Sequence, residues 1–224
     1  ATPEEADMLA FPDPSTFQVL PWRPSDNGVA RVFCDICTPD RKPFAGDPRE
    51  CLRAMFYRAE EAGFIMNVGA ELEYYYFKND RVPEPLDNVG YFDLSESDSA
   101  RDLRRNTVLT LEKMSVPVEY TFHSAGPSQH GISLRHAEAL YVTHDQEEAL
   151  TMSDAITTAK HIIRLEAFEA GCHAAFMPKP LSKAPSSAMF LHQSLFDREG
   201  NNVFYGDDDP VYHLSDTAKH YMAG

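Results

Sequence analysis

The chain has 224 residues, of which 43% are hydrophobic, and this length and composition are those of a globular protein with one sizeable core. Its 20 lysines and arginines against 35 aspartates and glutamates give a net charge of −15, which argues against binding to nucleic-acid backbones and anionic membranes. No apolar run approaches the roughly 20 residues that cross a bilayer, and the N-terminus lacks the pattern of a signal peptide, so we expect a cytoplasmic protein.

The first predicted elements are a strand and a helix. Residues 1–27 are rich in proline and predict irregular structure, and a strand is expected at about 30–37. Asp47 then predicts a helix N-cap, with Pro48 at the first helical position, Glu50 completing a capping box and Gly63 ending the helix. The apolar face of this helix is predicted to consist of Leu52, Met55, Phe56, Ala59 and Ala62.

The most informative segment is a predicted strand at 65–77 that carries two carboxylates. Because strand side chains alternate between faces, Glu71 and Glu73 share one face, and Leu72, Tyr74 and Tyr76 share the other. Carboxylates on an otherwise apolar strand need compensation by water or by a cation, and Mg²⁺ and Mn²⁺ prefer oxygen ligands. The segment therefore favours a divalent metal site, with a solvated or arginine-paired face as the alternative.

The rest of the chain mixes helices and strands. A helix is predicted at about 98–114, a hairpin from strands at about 117–123 and 129–135, and further strands near 174–179 and 188–196. Thr143 and Gln146 form another capping box, which predicts a helix from there to Ala170 with Gly171 as its stop. The core positions expected in the first of these helices are Leu103, Val108, Leu111 and Met114, and those in the second are Met152, Ile156, Ala159, Ile163 and Ala167. This pattern predicts an α+β fold in which a curved antiparallel sheet has flanking helices.

The four cysteines do not form a recognisable metal or redox motif. Cys34 and Cys37 have C-x-x-C spacing, but no second pair follows, and Cys51 and Cys172 stand alone. A strand through Cys34 would place the two paired thiols on opposite faces. We therefore predict reduced, unligated thiols, as is usual inside cells.

Several segments, taken in order, resemble the glutamine synthetase family. They are FCDI at 33–36, TPD at 38–40, GDPR at 46–49, VGAELEYYYF at 68–77, GYFD at 90–93, QH at 129–130, RHAEAL at 135–140, FMPKP at 176–180 and HQSL at 192–195. The resemblance covers most of residues 6–224. It implies that residues 1–27 are a remnant of an N-terminal domain and linker, and that 28–224 are a partial catalytic domain of glutamine-synthetase type, incomplete at both ends.

The resemblance also implies a reaction and a set of site residues. The family uses ATP to phosphorylate the side-chain carboxylate of glutamate, and ammonia then displaces the phosphate, with Mg²⁺ or Mn²⁺ as cofactor. Glu71 and Glu73 match one ligand for each of two metal clusters, Tyr91 matches a residue near the ammonium pocket, and His192 and Ser194 match residues that contact ATP. Glu73 and Tyr91 are thus the implied catalytic residues. Glutamate, ammonia or another amine, and ATP are the implied partners, with a homo-oligomer when the rest of the family fold is supplied.

Three positions depart from the family pattern. Ser124 and Gly131 stand where the family has glutamate ligands, and Phe190 stands where it has a histidine ligand. A divalent ion held by one carboxylate and water binds weakly, because affinity falls as charged ligands are removed. The sequence therefore leaves two hypotheses open, an active ligase with weakened metal sites and a catalytically impaired scaffold of the same fold.

Ten residues, 141–150, interrupt the family pattern. Residues 141–154 also resemble the switch-histidine segment of ABC-transporter ATPases, which would give His144 a role at a nucleotide phosphate. That role requires a phosphate-binding loop, and no G-x-x-x-x-G-K-[ST] pattern exists in this sequence. The structural alternative is a loop with an additional helical turn or two, and a break in the helix is then expected near 141–143.

Overall fold

The computed structural model describes residues 7–23, 25–93, 100–139, 141–142, 148–149 and 151–224. In these ranges the α-helices are α1 (Pro48–Glu61), α2 (Arg101–Lys113), α3 (Thr151–Glu169) and α4 (Asp216–Ala223). The strands are β1 (Leu9–Pro12), β2 (Gln18–Val19), β3 (Ala30–Arg31), β4 (Cys34–Cys37), β5 (Ile65–Phe77), β6 (Val118–His123), β7 (Gln129–Leu134), β8 (Ala137–Glu138), β9 (Tyr141–Val142), β10 (Glu148–Ala149), β11 (His173–Ala175) and β12 (Met189–Phe196). Helices and antiparallel strands are mixed along the chain, which confirms the predicted α+β class.

The chain divides into two compact units. Unit 1 contains residues 1–68, 137–151 and 193–224, and unit 2 contains residues 69–136 and 152–192. These units are defined by spatial compactness, whereas the predicted boundary at residue 27 separates two domains of the family pattern. That boundary stays a prediction. None of the described helices combines the length and hydropathy required to cross a membrane.

Unit 1 is organised around helix α1 and its capping residue. The Asp47 carboxylate accepts hydrogen bonds from the backbone amides of Arg49 at 3.1 Å and Ile36 at 2.9 Å, so it ties the helix start to β4. Glu50 does not complete the predicted capping box, because the Asp47 amide donates to the Phe44 carbonyl and the Glu50 carboxylate pairs with an arginine. Gly63, with a φ of +88°, lies just past the helix end as predicted, in a conformation that suits glycine.

The apolar face of α1 is only partly covered. No residue of the helix is buried, and Met55, which was predicted to face the core, is 54% exposed. Partly buried ion pairs contribute instead, since Arg49 bonds to Asp13 and Asp35, and Arg53 bonds to Asp35. The two guanidinium groups lower the pKa of Asp35 despite its partial burial.

Unit 2 is built on the central part of β5. In hydrogen-bonding order its strands run β11, β5, β7 and β6, and every pairing is antiparallel. Leu72, Tyr74 and Tyr76 are at most 2% exposed, as the alternation of the sequence predicted. Helix α2 contributes buried Leu103, Thr107 and Leu111, so Thr107 is buried and Val108 only half-buried, contrary to expectation.

The segment before α3 differs from its prediction. Thr143 and Gln146, the proposed capping box, lie outside the described residues, and the helix begins at Thr151. Residues Glu148 and Ala149 pair with Val142 and Tyr141 as an antiparallel ladder, so the helix does not include them. Four of the five predicted core positions of α3 are buried, namely Met152, Ala159, Ile163 and Ala167, whereas Ile156 is half-buried. Gly171 lies just past the helix end at a φ of +72°.

All four cysteines are free of disulfide bonds, and the absence of a ligand on their thiols stays a prediction.

Candidate functional site

The two predicted carboxylates lie in adjacent cross-strand rows of the unit 2 sheet. Glu73 is opposite Gly131 on β7, and Gly131 is opposite Phe122 on β6. Two residues away, Glu71 is opposite Ser133, which is opposite Tyr120. Because side chains alternate along a strand, all of these positions share one face of the sheet, which we call the carboxylate face.

Both oxygens of the Glu73 side chain accept hydrogen bonds within the protein. The Ser124 hydroxyl donates to Oε1 at 2.8 Å, and the Ala188 backbone amide donates to Oε2 at 3.1 Å. The backbone amide of Glu73 also donates to the Ala188 carbonyl at 2.9 Å. Glu73 is therefore connected to the end of β6 and to the segment that leads into β12.

Glu71 has a tyrosine as its partner. The Tyr120 hydroxyl donates to Glu71 Oε2 at 3.0 Å across the sheet. The bond to the carboxylate raises the pKa of Tyr120, because it stabilises the protonated phenol. The sequence pattern leaves a metal, solvent or an arginine as possible partners of this carboxylate, and it gives no indication of the Tyr120 hydroxyl.

The space beside Glu73 is occupied by an aromatic ring. Gly131 is buried, and a Cβ atom at that position would overlap the side chain of Phe122. The Phe122 ring in turn contacts Tyr91 at a centroid distance of 6.4 Å and Tyr120 at 5.9 Å. The structure therefore brings Tyr91 to the ring that lies over Gly131, and a side chain at position 131 requires this ring to move.

The remaining predicted residues lie on β12. His192 is an exposed residue of unit 2. Ser194 belongs to unit 1, and its Oγ is buried with no hydrogen-bond partner among the described residues. Phe190 stands where the family pattern has a metal-binding histidine. It is 45% exposed, and its side chain has no atom that could bind a metal.

The divalent metals implied by the family resemblance do not fit the carboxylate face in the family's manner. Ser124 uses its hydroxyl to donate to Glu73, position 131 is closed by the Phe122 ring, and position 190 carries an apolar side chain. Of the five metal ligands that the family resemblance implies in this part of the chain, Glu71 and Glu73 are the two that are retained. A single carboxylate leaves most of the coordination shell of a divalent ion to water or to substrate phosphates, so the protein alone holds such an ion weakly.

A second polar group, missed by sequence reasoning, lies on the opposite face of the same sheet. His123 and His130 are cross-strand partners on β6 and β7, and both are buried. His123 Nε2 lies 3.3 Å from Asp87 Oδ1, and Arg104 Nη1 lies 2.8 Å from His130 Nδ1. The alternation of the hairpin would have indicated the two histidines, but nothing in the sequence indicates that the loop residue Asp87 reaches them.

Asp87, His123 and His130 place possible ligand atoms within 4.8 Å of one another, but their hydrogen bonds argue against a metal centre. A guanidinium only donates, so Arg104 makes His130 Nδ1 an acceptor, and Nε2 of a neutral ring then carries its proton. His123 Nδ1 lies 2.8 Å from the Ser124 carbonyl, to which it must donate. Both histidines are thus engaged through hydrogen bonds, while Asp87 Oδ2 is buried without a partner among the described residues.

The network fixes the charge of Asp87. Burial opposes ionisation, but the hydrogen bonds from His123 and from the amides of Val89 and Ser128 outweigh it and lower the pKa of Asp87 to about 2. His123 faces an acceptor at each ring nitrogen, with the Ser124 carbonyl at Nδ1 and the Asp87 carboxylate at Nε2. The group therefore holds the loop of Asp87 against the β6–β7 hairpin.

Comparison with protein families gives one match over most of the chain. The family model described as "Glutamine synthetase, catalytic domain" matches residues 45–224. Among curated proteins, a glutamine synthetase of Mycolicibacterium smegmatis is 42% identical in an alignment of 226 positions that covers 98% of this chain and 48% of the relative. A glutamine synthetase of Methanosarcina mazei is also 42% identical, over 99% of this chain and 48% of the relative. The chain thus spans about half the length of the curated relatives it matches.

Solved structures give the same fold. The match to the Plasmodium falciparum glutamine synthetase has a TM-score of 0.84 at 22% identity. The aligned region covers 100% of this chain and 47% of the Plasmodium chain. A structure described as "Apo GmaS without ligand" has a TM-score of 0.81 at 25% identity, covering 97% of this chain and 49% of its own.

Proposed function

Because this chain belongs to the glutamine synthetase family, we propose that it is part of an ATP-dependent ligase that joins ammonia, or another amine, to glutamate. The reaction would pass through γ-glutamyl phosphate, from which the amine displaces phosphate. The observation that carries this proposal is the match of the catalytic-domain model to residues 45–224, together with 42% identity to glutamine synthetases over nearly the whole chain.

The proposed substrate contacts follow the positions retained from the family pattern. His192 and Ser194 would contact ATP, and support comes from the exposure of His192 and from the buried Ser194 hydroxyl that lacks a partner in the described part of the chain. Tyr91 would lie near the amine, and its ring contact with Phe122 supports a position beside Glu73. We further propose that the chain acts in the cytoplasm and as part of a homo-oligomer.

A second candidate is a catalytically impaired scaffold of the same family. The specific observation in its favour is the carboxylate face, where a serine hydroxyl and an aromatic ring take the positions of implied metal ligands. Such a protein would keep the fold and lose the cation that neutralises a transferring phosphoryl group.

ADP release from ATP separates the two candidates. The assay contains Mg²⁺ or Mn²⁺ and is run with and without glutamate plus ammonia, or methylamine as the alternative acceptor. A ligase releases ADP only when both substrates are present, and Glu73→Ala abolishes that release while Glu112→Ala, an exposed helix residue, does not. Release that is independent of the substrates contradicts the ligase proposal, and the absence of release from well-folded protein favours the scaffold.

A further inference from the structure

We infer that Glu73 is a metal-independent bridging carboxylate, which joins β5 to the end of β6 and to the segment entering β12. Its Oε1 accepts from the Ser124 hydroxyl at 2.8 Å and its Oε2 from the Ala188 amide at 3.1 Å. Glu73 is thus a positioning residue that uses its side chain as a sheet connection, in place of the metal role implied by the family resemblance.

The contact with Ala188 is reciprocal. The Glu73 amide donates to the Ala188 carbonyl, and the Ala188 amide donates back to the Glu73 side chain. In a regular ladder, an amide in this position finds a backbone carbonyl, whereas here a carboxylate takes that place. Hydrogen bonds to an ionised acceptor are stronger than those between neutral groups, so the charge of Glu73 reinforces the start of β12.

The hydrogen bond between Ser124 and Glu73 satisfies both side chains without a cation. Its side chain is buried, with 7% exposure, and a buried hydroxyl is costly unless it has a partner. The Glu73 carboxylate supplies that partner, and the serine in turn compensates a half-buried charge. The pair therefore satisfies two groups that a sheet interior would otherwise leave in need of water or a cation.

The row that contains Glu73 also contains Gly131 and Phe122. Phe122 lies over Gly131, so a side chain at position 131 requires that ring to move. The replacement of the metal ligands is consequently coupled, since a glutamate at position 124 alone restores one ligand, and a glutamate at position 131 needs the Phe122 ring to be displaced or shortened.

The inference bears on the second candidate function, but its readouts are metal binding and thermal stability, which do not require turnover. Failure of the ligase assay and failure of this inference are therefore separate results. A ligase that is active through groups elsewhere leaves the inference intact, and a scaffold that binds manganese tightly through Glu73 overturns it.

The first experiment measures Mn²⁺ binding by electron paramagnetic resonance, and thermal unfolding in EDTA and in excess Mn²⁺. The wild-type protein is expected to bind no Mn²⁺ more tightly than about 1 mM and to unfold at the same temperature in both buffers. Glu73→Gln and Ser124→Ala should each lower the unfolding temperature by about 5 °C in EDTA, because the first removes the negative charge that both hydrogen bonds share and the second removes one of their donors.

The matched control is Glu112→Gln, which removes an exposed carboxylate from α2 and should leave the unfolding temperature unchanged. The unfolding temperature of the Glu73→Gln/Ser124→Ala double variant should fall by less than the sum of the two single decreases, because both substitutions act on the same hydrogen bond between these residues. Micromolar Mn²⁺ binding by the wild type that disappears in Glu73→Gln, or an unfolding temperature that rises with Mn²⁺ only when Glu73 is present, overturns the inference.

The second experiment restores the ligands. Ser124→Glu alone should not create a tight Mn²⁺ site, whereas Ser124→Glu with Gly131→Glu and Phe122→Ala should tighten binding at least tenfold over the wild type. Phe122→Ala alone reports whether the enlarged space is tolerated by the fold. Tight binding in the Ser124→Glu/Gly131→Glu variant with Phe122 retained would show that the ring does not block the position and would overturn that part of the inference.

Discussion

At the residue scale, the most consequential side chain outside the carboxylate face is Asp87. Its side chain is 2% exposed, yet it is held ionised by His123 and by backbone amides. Its amide also donates to the Ser128 hydroxyl at 2.7 Å, so a loop residue is attached to the hairpin through both backbone and side chain. Removing one partner from a buried pair of this kind is costly, because the other charge stays behind.

Asp87→Asn should remove a pH-dependent contribution to stability. The pKa of Asp87 is about 2 in the folded protein, below its ordinary value of 3.8, so the folded state favours the ionised form. The contribution, about 2 kcal/mol, is present above pH 4 and is lost as the pH falls from 4 toward 2. Urea unfolding should therefore show a difference between wild type and Asp87→Asn that shrinks over this range.

The His123→Gln variant tests the cause of this shift. Without the imidazole, the depression of the Asp87 pKa should diminish, and the stability of the variant should depend less on pH between 4 and 2. A difference between wild type and Asp87→Asn that stays constant from pH 5 to pH 2 would contradict the assignment of an ionised Asp87.

At the element scale, helix α1 shows how a helix with a weakly covered face is stabilised. None of its residues is buried, so packing contributes less than for α3, which has six buried residues. Its N-cap and its ion pairs with Asp35 and Asp13 therefore contribute a larger part of the stability of the helix. Asp47 is 4% exposed and serves two backbone amides, one in the helix and one in β4.

Asp47→Ala should lower the free energy of unfolding by about 2 kcal/mol, because it removes a helix cap and leaves a second amide without its acceptor. Glu61→Ala, at the exposed C-terminal end of the same helix, is the control and should change stability by less than about 0.5 kcal/mol. Equal effects of the two substitutions in urea unfolding would mean that the cap is not a principal support of α1.

At the scale of the whole molecule, the net charge of −15 governs encounters with other macromolecules. We predict no binding to duplex DNA or to anionic lipid vesicles at about 0.15 M salt, where a Debye length of about 8 Å still leaves close like charges repelling one another. Gel-shift and vesicle co-sedimentation measurements check this expectation. Salt-sensitive binding to either surface would reveal a basic patch that the net charge conceals.

The sequence by itself determined the family, the mixed α+β class and the position of several elements. The bounds of β5 and the capped start of α1 follow from local rules, because alternation, proline and a capping aspartate act over a few residues. The opposite orientations of Glu71 and Tyr74 follow from the same alternation.

Only the tertiary structure decided what the carboxylates contact. The partners of Glu73 come from positions 124 and 188, and that of Glu71 from position 120, far along the chain. The paired histidines and Asp87 are likewise joined by the register of β6 and β7 and by a loop. Sequence pattern specifies the face on which a side chain lies, but the atom that satisfies a polar group depends on which strands are neighbours, and long-range packing sets that arrangement.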